Sequence, residues 1–164
     1  MAEPVIMISA CLLGIECRYD GGSKPVPGLP AKLAGFKLVP FCPEVWGGLP
    51  TPRPPAEIRA GDGAAVLAGT ARVVDRTGRD RTAEFRRGAE RLLEQVRQWQ
   101  PVWIIAKAKS PSCGVGRIYD GNFAGQLRDG DGVAVALLRQ AGITAICTEA
   151  EIEPLLQNLS GNNC

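Results

Sequence analysis

The sequence predicts an α/β fold: a single domain on an open, mostly parallel sheet with flanking helices, Rossmann-like or flavodoxin-like in kind. Three observations carry this. Apolar runs too short for helices recur along the chain, at Val5–Ser9, Leu38–Phe41, Val102–Ala106 and Ile143–Cys147. Segments with helical spacing lie between or after them, as alternating strands and helices require. The run Val102-Trp103-Ile104-Ile105-Ala106 is almost wholly apolar rather than alternating. A strand covered on both faces of a parallel sheet has that character.

Taken in order, Val5–Ser9 is the first strand. Residues 11–30 carry Gly14, Gly21, Gly22, Pro25, Pro27, Gly28 and Pro30 and read as loop. Residues 31–34 form one helical turn, and Leu38–Phe41 is the second strand. The stretch 43–55 holds Pro43, Pro50, Pro52, Pro54 and Pro55. Proline fixes φ and removes a donor, so this is a stiff loop, long enough to be site-forming. Residues 66–68 and 71–75 are expected to pair as a short hairpin around Gly69. Thr82 is the expected N-cap of a helix over 83–99, whose Phe85, Ala89, Leu92, Leu93, Val96 and Trp99 share one face. After Pro101 come a strand at 102–106, a helix at 132–140, a strand at 143–147 and a closing helix at 150–158. Residues 1–158 make one domain, with a flexible tail at 159–164.

Composition narrows the function. A length of 164 residues suits one well-buried core. Lys and Arg number 19 against 17 Asp and Glu, a net charge of +2, with no basic block. A general nucleic-acid-binding face is not suggested. Six cysteines fall below the density of a disulfide scaffold. The first ten residues contain Glu3 and no Lys or Arg, and their apolar stretch is about half the ~20 residues a membrane helix needs. The expectation is a reduced, cytoplasmic protein with no membrane partner. Histidine is absent. Imidazole bases, dyads and zinc ligands are therefore excluded.

Three cysteines share one local setting. Cys11 and Cys42 each end an apolar run, and Cys113 sits in the Ser110-Pro111-Ser112-Cys113-Gly114 loop after a third. If those runs are neighbouring parallel strands, three thiols meet at the carboxyl edge, where open α/β sheets bind ligands. Three thiolates leave a fourth metal position open, which structural zinc does not favour. A cubane iron–sulfur cluster with one free iron suits the set, because clusters that only carry electrons normally have four cysteines. Cys147, inside a strand, reads as packing, and Cys164 in the tail as incidental. Cys17 has three readings: a fourth ligand, a resolving thiol or an exposed accident. The sequence favours the accident.

The motifs are recognisable as a set. Ser9-Ala10-Cys11-Leu12-Leu13-Gly14, Arg18-Tyr19-Asp20-Gly21, Cys42-Pro43-Glu44, Gly47-Gly48-Leu49-Pro50-Thr51-Pro52-Arg53 and Lys107-Ala108-Lys109-Ser110-Pro111-Ser112-Cys113-Gly114 resemble domain-of-unknown-function family 523. Tyr119-Asp120-Gly121-Asn122-Phe123 continues the resemblance, which spans about residues 5–150. The family includes the thiouracil desulfidases. The resemblance implies a 4Fe-4S cluster on Cys11, Cys42 and Cys113 as metal ligands. It implies non-redox conversion of thiolated uracil to uracil and hydrogen sulfide, with catalytic roles for Glu44 and Ser110. Ser112, Trp46, Lys107 and Arg53 are expected to bind the small thiolated nucleobase. Trp46 stands where a smaller apolar residue is expected. Lys109 and Arg18 are expected to orient a polar ring or offset thiolate charge, and Tyr19, Asp20 and Asp120 to support loop geometry. The competing readings are a desulfidase or lyase acting on another small thiolated compound, and a non-catalytic iron–sulfur or zinc sensor.

Overall fold

The structure is a computed structural model that describes residues 2–161. Its central sheet has four parallel strands. They are β1 (Val5–Ser9), β2 (Lys37–Phe41), β5 (Trp103–Ala106) and β8 (Ile146–Thr148), in spatial order β2-β1-β5-β8. Pro40 lies in β2 at the edge, where a missing ladder donor costs least. Two antiparallel pairs stand apart from this sheet. The strands β3 (Ala56–Arg59) and β4 (Arg72–Asp75) form one, and β6 (Arg117–Tyr119) and β7 (Leu127–Asp129) the other.

The helices are α1 (Leu29–Lys32), α2 (Pro43–Trp46), α3 (Gly63–Ala68), α4 (Thr82–Trp99), α5 (Val133–Gln140) and α6 (Ile152–Gly161). Side-chain alternation splits the core into two layers. Met7 and Ile104 face Phe85, Ala89 and Leu92 of α4 and Val133 and Leu138 of α5. Ile6, Ile8, Ile105 and Cys147 face Leu29, Leu33, Ile152 and Leu155. Each such buried aliphatic side chain contributes about 1.5–3 kcal/mol, so both sheet faces are anchored. Cys147 is core packing, as its strand position suggested. Burial is the first cause pushing its thiol up to about 12.

Several local expectations change. Residues 66–68 are not a strand. They belong to α3, where the Asp62 carboxylate accepts from the Ala65 amide at 3.0 Å and Gly69 closes the helix in the left-handed region. The partner of β4 is β3 instead, a strand that proline-rich flanks hide. Thr82 is the first helical residue of α4 rather than its cap. Its Oγ1 accepts from the Val73 amide at 3.0 Å and pins the helix start to β4. The stiff 43–55 loop contains the helical turn α2. The tail expected from residue 159 continues as helix through Gly161, and Cys164 lies outside the described residues. Among the described residues, no helix is long and apolar enough to cross a membrane.

Candidate active site

Strand register places the site. Ser9 of β1 pairs with Phe41 of β2, and Ile8 pairs with Ile105 of β5, so the three strands end at one level. Cys11 lies in the 3₁₀ turn Ala10–Leu13 after β1, Cys42 joins β2 to α2, and Cys113 lies in the loop after β5. From β1 the chain moves to β2 on one side, and from β5 to β8 on the other. The gap between β1 and β5 is therefore the topological switch point. The Ser9 hydroxyl bridges it, accepting from the Lys107 amide at 2.9 Å. Above it opens a cavity of about 590 Å³ lined by Cys11, Cys42 and Cys113 together with Cys17, Glu44, Arg53, Ser110 and Ser112.

Close backbone contacts fix the loops. A Cβ at Gly88 of α4 would lie 1.9 Å from the Pro43 carbonyl oxygen, and one at Gly47 would lie 2.0 Å from the Glu84 carbonyl oxygen. Only glycine lets α2 press onto α4, and that contact sets the position of Glu44. The start of α5 holds the third loop in the same way. A Cβ at Gly132 would lie 2.5 Å from the Ser112 carbonyl. The amides of Val133 and Ala134 donate to the carbonyls of Pro111 and Ser112 at 2.8 and 3.0 Å. The loop carrying Cys113 thus supplies partners for amides that a helix start leaves unpaired.

Glu44 sits between a cation and a hydroxyl. Arg53 Nε donates to its Oε1 at 3.2 Å, and Ser112 Oγ donates to its Oε2 at 2.9 Å. With the Ser112 hydrogen spent on Glu44, Ser110 donates in the 3.2 Å contact between the two hydroxyls. Ser110 Oγ in turn accepts from the Cys113 amide at 2.7 Å. A continuous chain, Ser110–Ser112–Glu44, runs along one wall. Arg53 also donates to the carbonyls of Pro50 at 3.2 Å and Cys17 at 2.9 Å, and to Thr51 Oγ1 at 3.2 Å. Its planar fork ties the first two cysteine loops together.

The thiols influence one another. Cys42 Sγ donates to the Cys17 carbonyl at 3.9 Å. Interaction with the Cys17 side chain is the main cause lowering the Cys11 thiol, and the same interaction is the main cause raising Cys17. Cys42 is pushed up first by its interaction with Cys17 and then by burial. Cys113 is raised to about 12, chiefly by burial. Among the described residues, no group of three or more His, Cys, Asp or Glu side chains is arranged to hold one metal ion. Three thiols spread around a cavity, with no imidazole, fit a polynuclear iron–sulfur centre better than a lone ion. Charge agrees: Arg18, Lys24, Arg53, Arg76, Lys107 and Lys109 line the cavity against Glu44 and Glu57. Arg18 Nε is buried without a hydrogen-bond partner, 3.7 Å from Asp20. An anionic cluster beneath these cations is electrostatically favoured.

A sequence model of the 2-thiouracil desulfurase family matches residues 6–150. The chain belongs to this family. It is 43% identical over 152 residues to the uncharacterized protein YbbK of Bacillus subtilis (strain 168), covering 93% of this chain and all of that protein. A solved structure described as a [4Fe-4S]-dependent thiouracil desulfidase, TudS, superposes with a TM-score of 0.82 at 45% identity. It covers 96% of this chain and 98% of that one.

Within this desulfurase fold, most residues singled out in the sequence converge. Cys11, Cys42, Cys113, Glu44, Ser110, Ser112, Lys107 and Arg53 all line the cavity. Trp46 does not. It packs against the core under α4, because the α2 turn points it away from the cavity. Arg53 is there, but its nitrogens are engaged by protein oxygens, so it holds Glu44 rather than offering a free fork to a ligand. Lys107 Nζ pairs with Glu149 at 2.7 Å, and Glu149 also accepts from the Ala108 amide at 2.9 Å. Cys17 corrects its reading as an exposed accident: it is 8% exposed, lines the cavity, and its carbonyl accepts from Arg53 Nη2 and Cys42 Sγ. The sequence signal missed there was its place in a tight turn that begins at Cys11. Phe123, Arg76 and Glu57 also line the cavity without having been foreseen. Glu57 accepts from the amides of Gly121 and Phe123 at 3.0 and 3.2 Å and holds that wall in place.

Proposed function

We propose that this protein is a [4Fe-4S]-dependent desulfidase of thiolated uracil, converting the thiocarbonyl and water to uracil and hydrogen sulfide. The observation that carries this is the gathering of Cys11, Cys42 and Cys113 with the hydrogen-bonded Glu44 in one cavity at the switch point. The family match and the 45%-identical desulfidase structure support it. The three cysteines would hold the cluster, and three thiolates for four irons leave one iron without a protein ligand. When bound, the cluster supplies a thiophilic Lewis acid for the substrate's sulfur.

The remaining work falls to the chain's own groups. Glu44 takes a proton from the water that attacks the thiolated ring carbon, a general-base role. Arg53 and Ser112 keep its carboxylate turned toward the cavity. Ser110, the outer member of the hydroxyl chain, passes a proton between Glu44 and the departing sulfur. Lys107, steadied by Glu149, and Lys109 offer positive charge to the oxygen and nitrogen edge of the ring. No step changes the oxidation state of substrate carbon or sulfur, so no external reductant is needed.

The test is anaerobic purification, iron and acid-labile sulfide analysis, and a sulfide-release assay on 2-thiouracil. About four irons per chain with uracil and sulfide in equal amounts is the expected result. A cluster-loaded protein that releases no sulfide from thiolated pyrimidines, while Glu44→Gln changes nothing, overturns the reading in favour of a sensor.

A further inference from the structure

Phe123 holds a place that core packing does not explain. Among the described residues, it is the one phenylalanine or tryptophan that packs into neither apolar cluster of the core. It stands half-buried in the cavity wall instead. Its φ of 54° lies in the left-handed region, where a bulky side chain is an outlier. Such a conformation persists only where its surroundings fix it, and it is found most at ligand sites. Here the surroundings do fix it. The buried Glu57 gathers the Gly121 and Phe123 amides on one carboxylate oxygen, at 3.0 and 3.2 Å. A Cβ at Gly121 would lie 2.4 Å from the Ile58 carbonyl oxygen, so the turn presses directly on β3. The Asp120 amide donates to the Gln126 carbonyl at 3.0 Å and closes the loop between β6 and β7. A bridge between Lys109 and Ile118 ties that pair of strands to the loop carrying Cys113. The Arg76 guanidinium lies over the Phe123 ring, 5.5 Å from its centroid. With one face so covered, the other is the face that can meet a ligand in the cavity both residues line.

We propose that Phe123 is the platform on which the pyrimidine ring stacks, and so the residue that makes the site prefer flat aromatic bases over other compounds with the same polar groups. The inference rests on the reading that a thiolated pyrimidine occupies the cavity. Attack by water requires the ring carbon at a fixed distance and angle from Glu44. The cavity, about 590 Å³, is much roomier than a single-ring base, so enclosure alone does not hold one. Polar contacts at the rim of the base set its rotation within its own plane. An apolar aromatic face sets the plane itself, through offset stacking. Phenylalanine suits the task because it brings no hydroxyl to compete with Lys107 and Lys109 for the polar rim. A ring already fixed by its backbone loses little further freedom when a ligand lands on it, which is the advantage of preorganisation. Every base has a π-face, so stacking tolerates changes at the rim. The platform therefore reads flatness and not where the sulfur stands on the ring.

Equilibrium dialysis of uracil against the full chain, purified under argon, reads the platform without any sulfur chemistry. The comparison ligand is 5,6-dihydrouracil, which keeps the carbonyls and N–H groups and loses the flat aromatic face. Wild type should bind uracil more tightly than the dihydro compound. Phe123→Leu should weaken uracil binding about tenfold, the scale of one lost base–aromatic stack, and change dihydrouracil little, so the preference collapses. Phe123→Tyr should restore it. Phe123→Gly suits the left-handed backbone. It should unfold no earlier than wild type on heating and still bind uracil weakly, which separates a platform from a structural prop. In the sulfide-release assay, the Phe123→Leu loss should appear in KM for 2-thiouracil rather than in kcat, as loss of uniform binding does. Equal affinity of wild type for the two ligands, wild-type uracil affinity in Phe123→Leu, early unfolding of Phe123→Gly, or a loss that follows Tyr19→Leu in its place overturns the proposal. A chain that binds uracil through Phe123 yet releases no sulfide from 2-thiouracil sinks the functional reading alone.

Discussion

Two carboxylate–arginine pairs lie near one another, and only one faces the cavity. Asp75, at the end of β4, is 1% exposed. It accepts from the Thr77 amide at 2.9 Å, Thr77 Oγ1 at 2.6 Å, the Arg79 amide at 3.1 Å and Arg81 Nε at 3.0 Å. Burial acts to raise its pKa, but those donors outweigh burial and leave it at about 2. Glu44 has two donors, Arg53 and Ser112, and its side chain remains 16% exposed. The same chemical pair serves two ends. A carboxylate whose oxygens are crowded by donors locks a turn. One held at two points, with a side open to a cavity, is oriented and still free to take a proton.

The sharpest test of that contrast is Glu44→Gln. Turnover should fall by about 10²–10⁴-fold, the usual scale of general-base catalysis, while cluster absorbance and thermal unfolding stay near wild type. Retention of full activity would remove Glu44 from the mechanism. Arg53→Met comes next. Removing one partner of a largely buried pair costs roughly 3 kcal/mol, and both stability and kcat should drop. Arg53→Lys should recover much of the stability and little of the kcat, since an ammonium cannot reproduce the planar fork. Gly88→Ala tests how α2 is placed. The new methyl must displace the Pro43 carbonyl, so a loss of about 1–3 kcal/mol is expected from overpacking, with activity reduced through Glu44. Wild-type stability there would mean that α2 shifts freely.

Asp75→Asn is the complementary case, with the smallest expected effect on activity. It should cost about 1.5–3 kcal/mol by weakening charged hydrogen bonds and leave kcat per folded molecule unchanged. The pH dependence has a defined sign. Because the folded pKa of Asp75 is depressed to about 2, its contribution is present above the unfolded value of about 4 and is lost as pH falls toward about 2. Urea unfolding of wild type should therefore weaken through that window, and the Asp75→Asn protein should show a flatter decline. Parallel declines in both proteins would assign the acid sensitivity elsewhere.

The alternation of short apolar runs and helical stretches was enough to expect a parallel sheet, because period and length are local properties. The three strand-ending cysteines were equally legible, because each sits at or just past a run whose end is visible in the sequence, whereas Glu44 and Ser110 entered through the resemblance to family 523. What escaped was pairing and direction. Residues 66–68 resembled a strand by composition, yet the Asp62 cap and a better partner for β4 made them helix. Trp46 looked like a site residue by proximity to Glu44, but a helical turn sends positions two apart to different sides. Cys17 looked incidental because its neighbours in space, Cys42 and Arg53, are far away in sequence.

The sequence by itself determined the fold class, the absence of imidazole chemistry and the three-cysteine set, all of which follow from residue type and local spacing. Only the tertiary structure decided that Arg53 is spent on holding Glu44, that glycine contacts between α2 and α4 set where that carboxylate stands, and that Cys17 lines the same cavity as Cys11, Cys42 and Cys113. Those facts depend on strand order and on backbone approach between distant segments. Chain-local propensities do not encode such contacts until the core has packed.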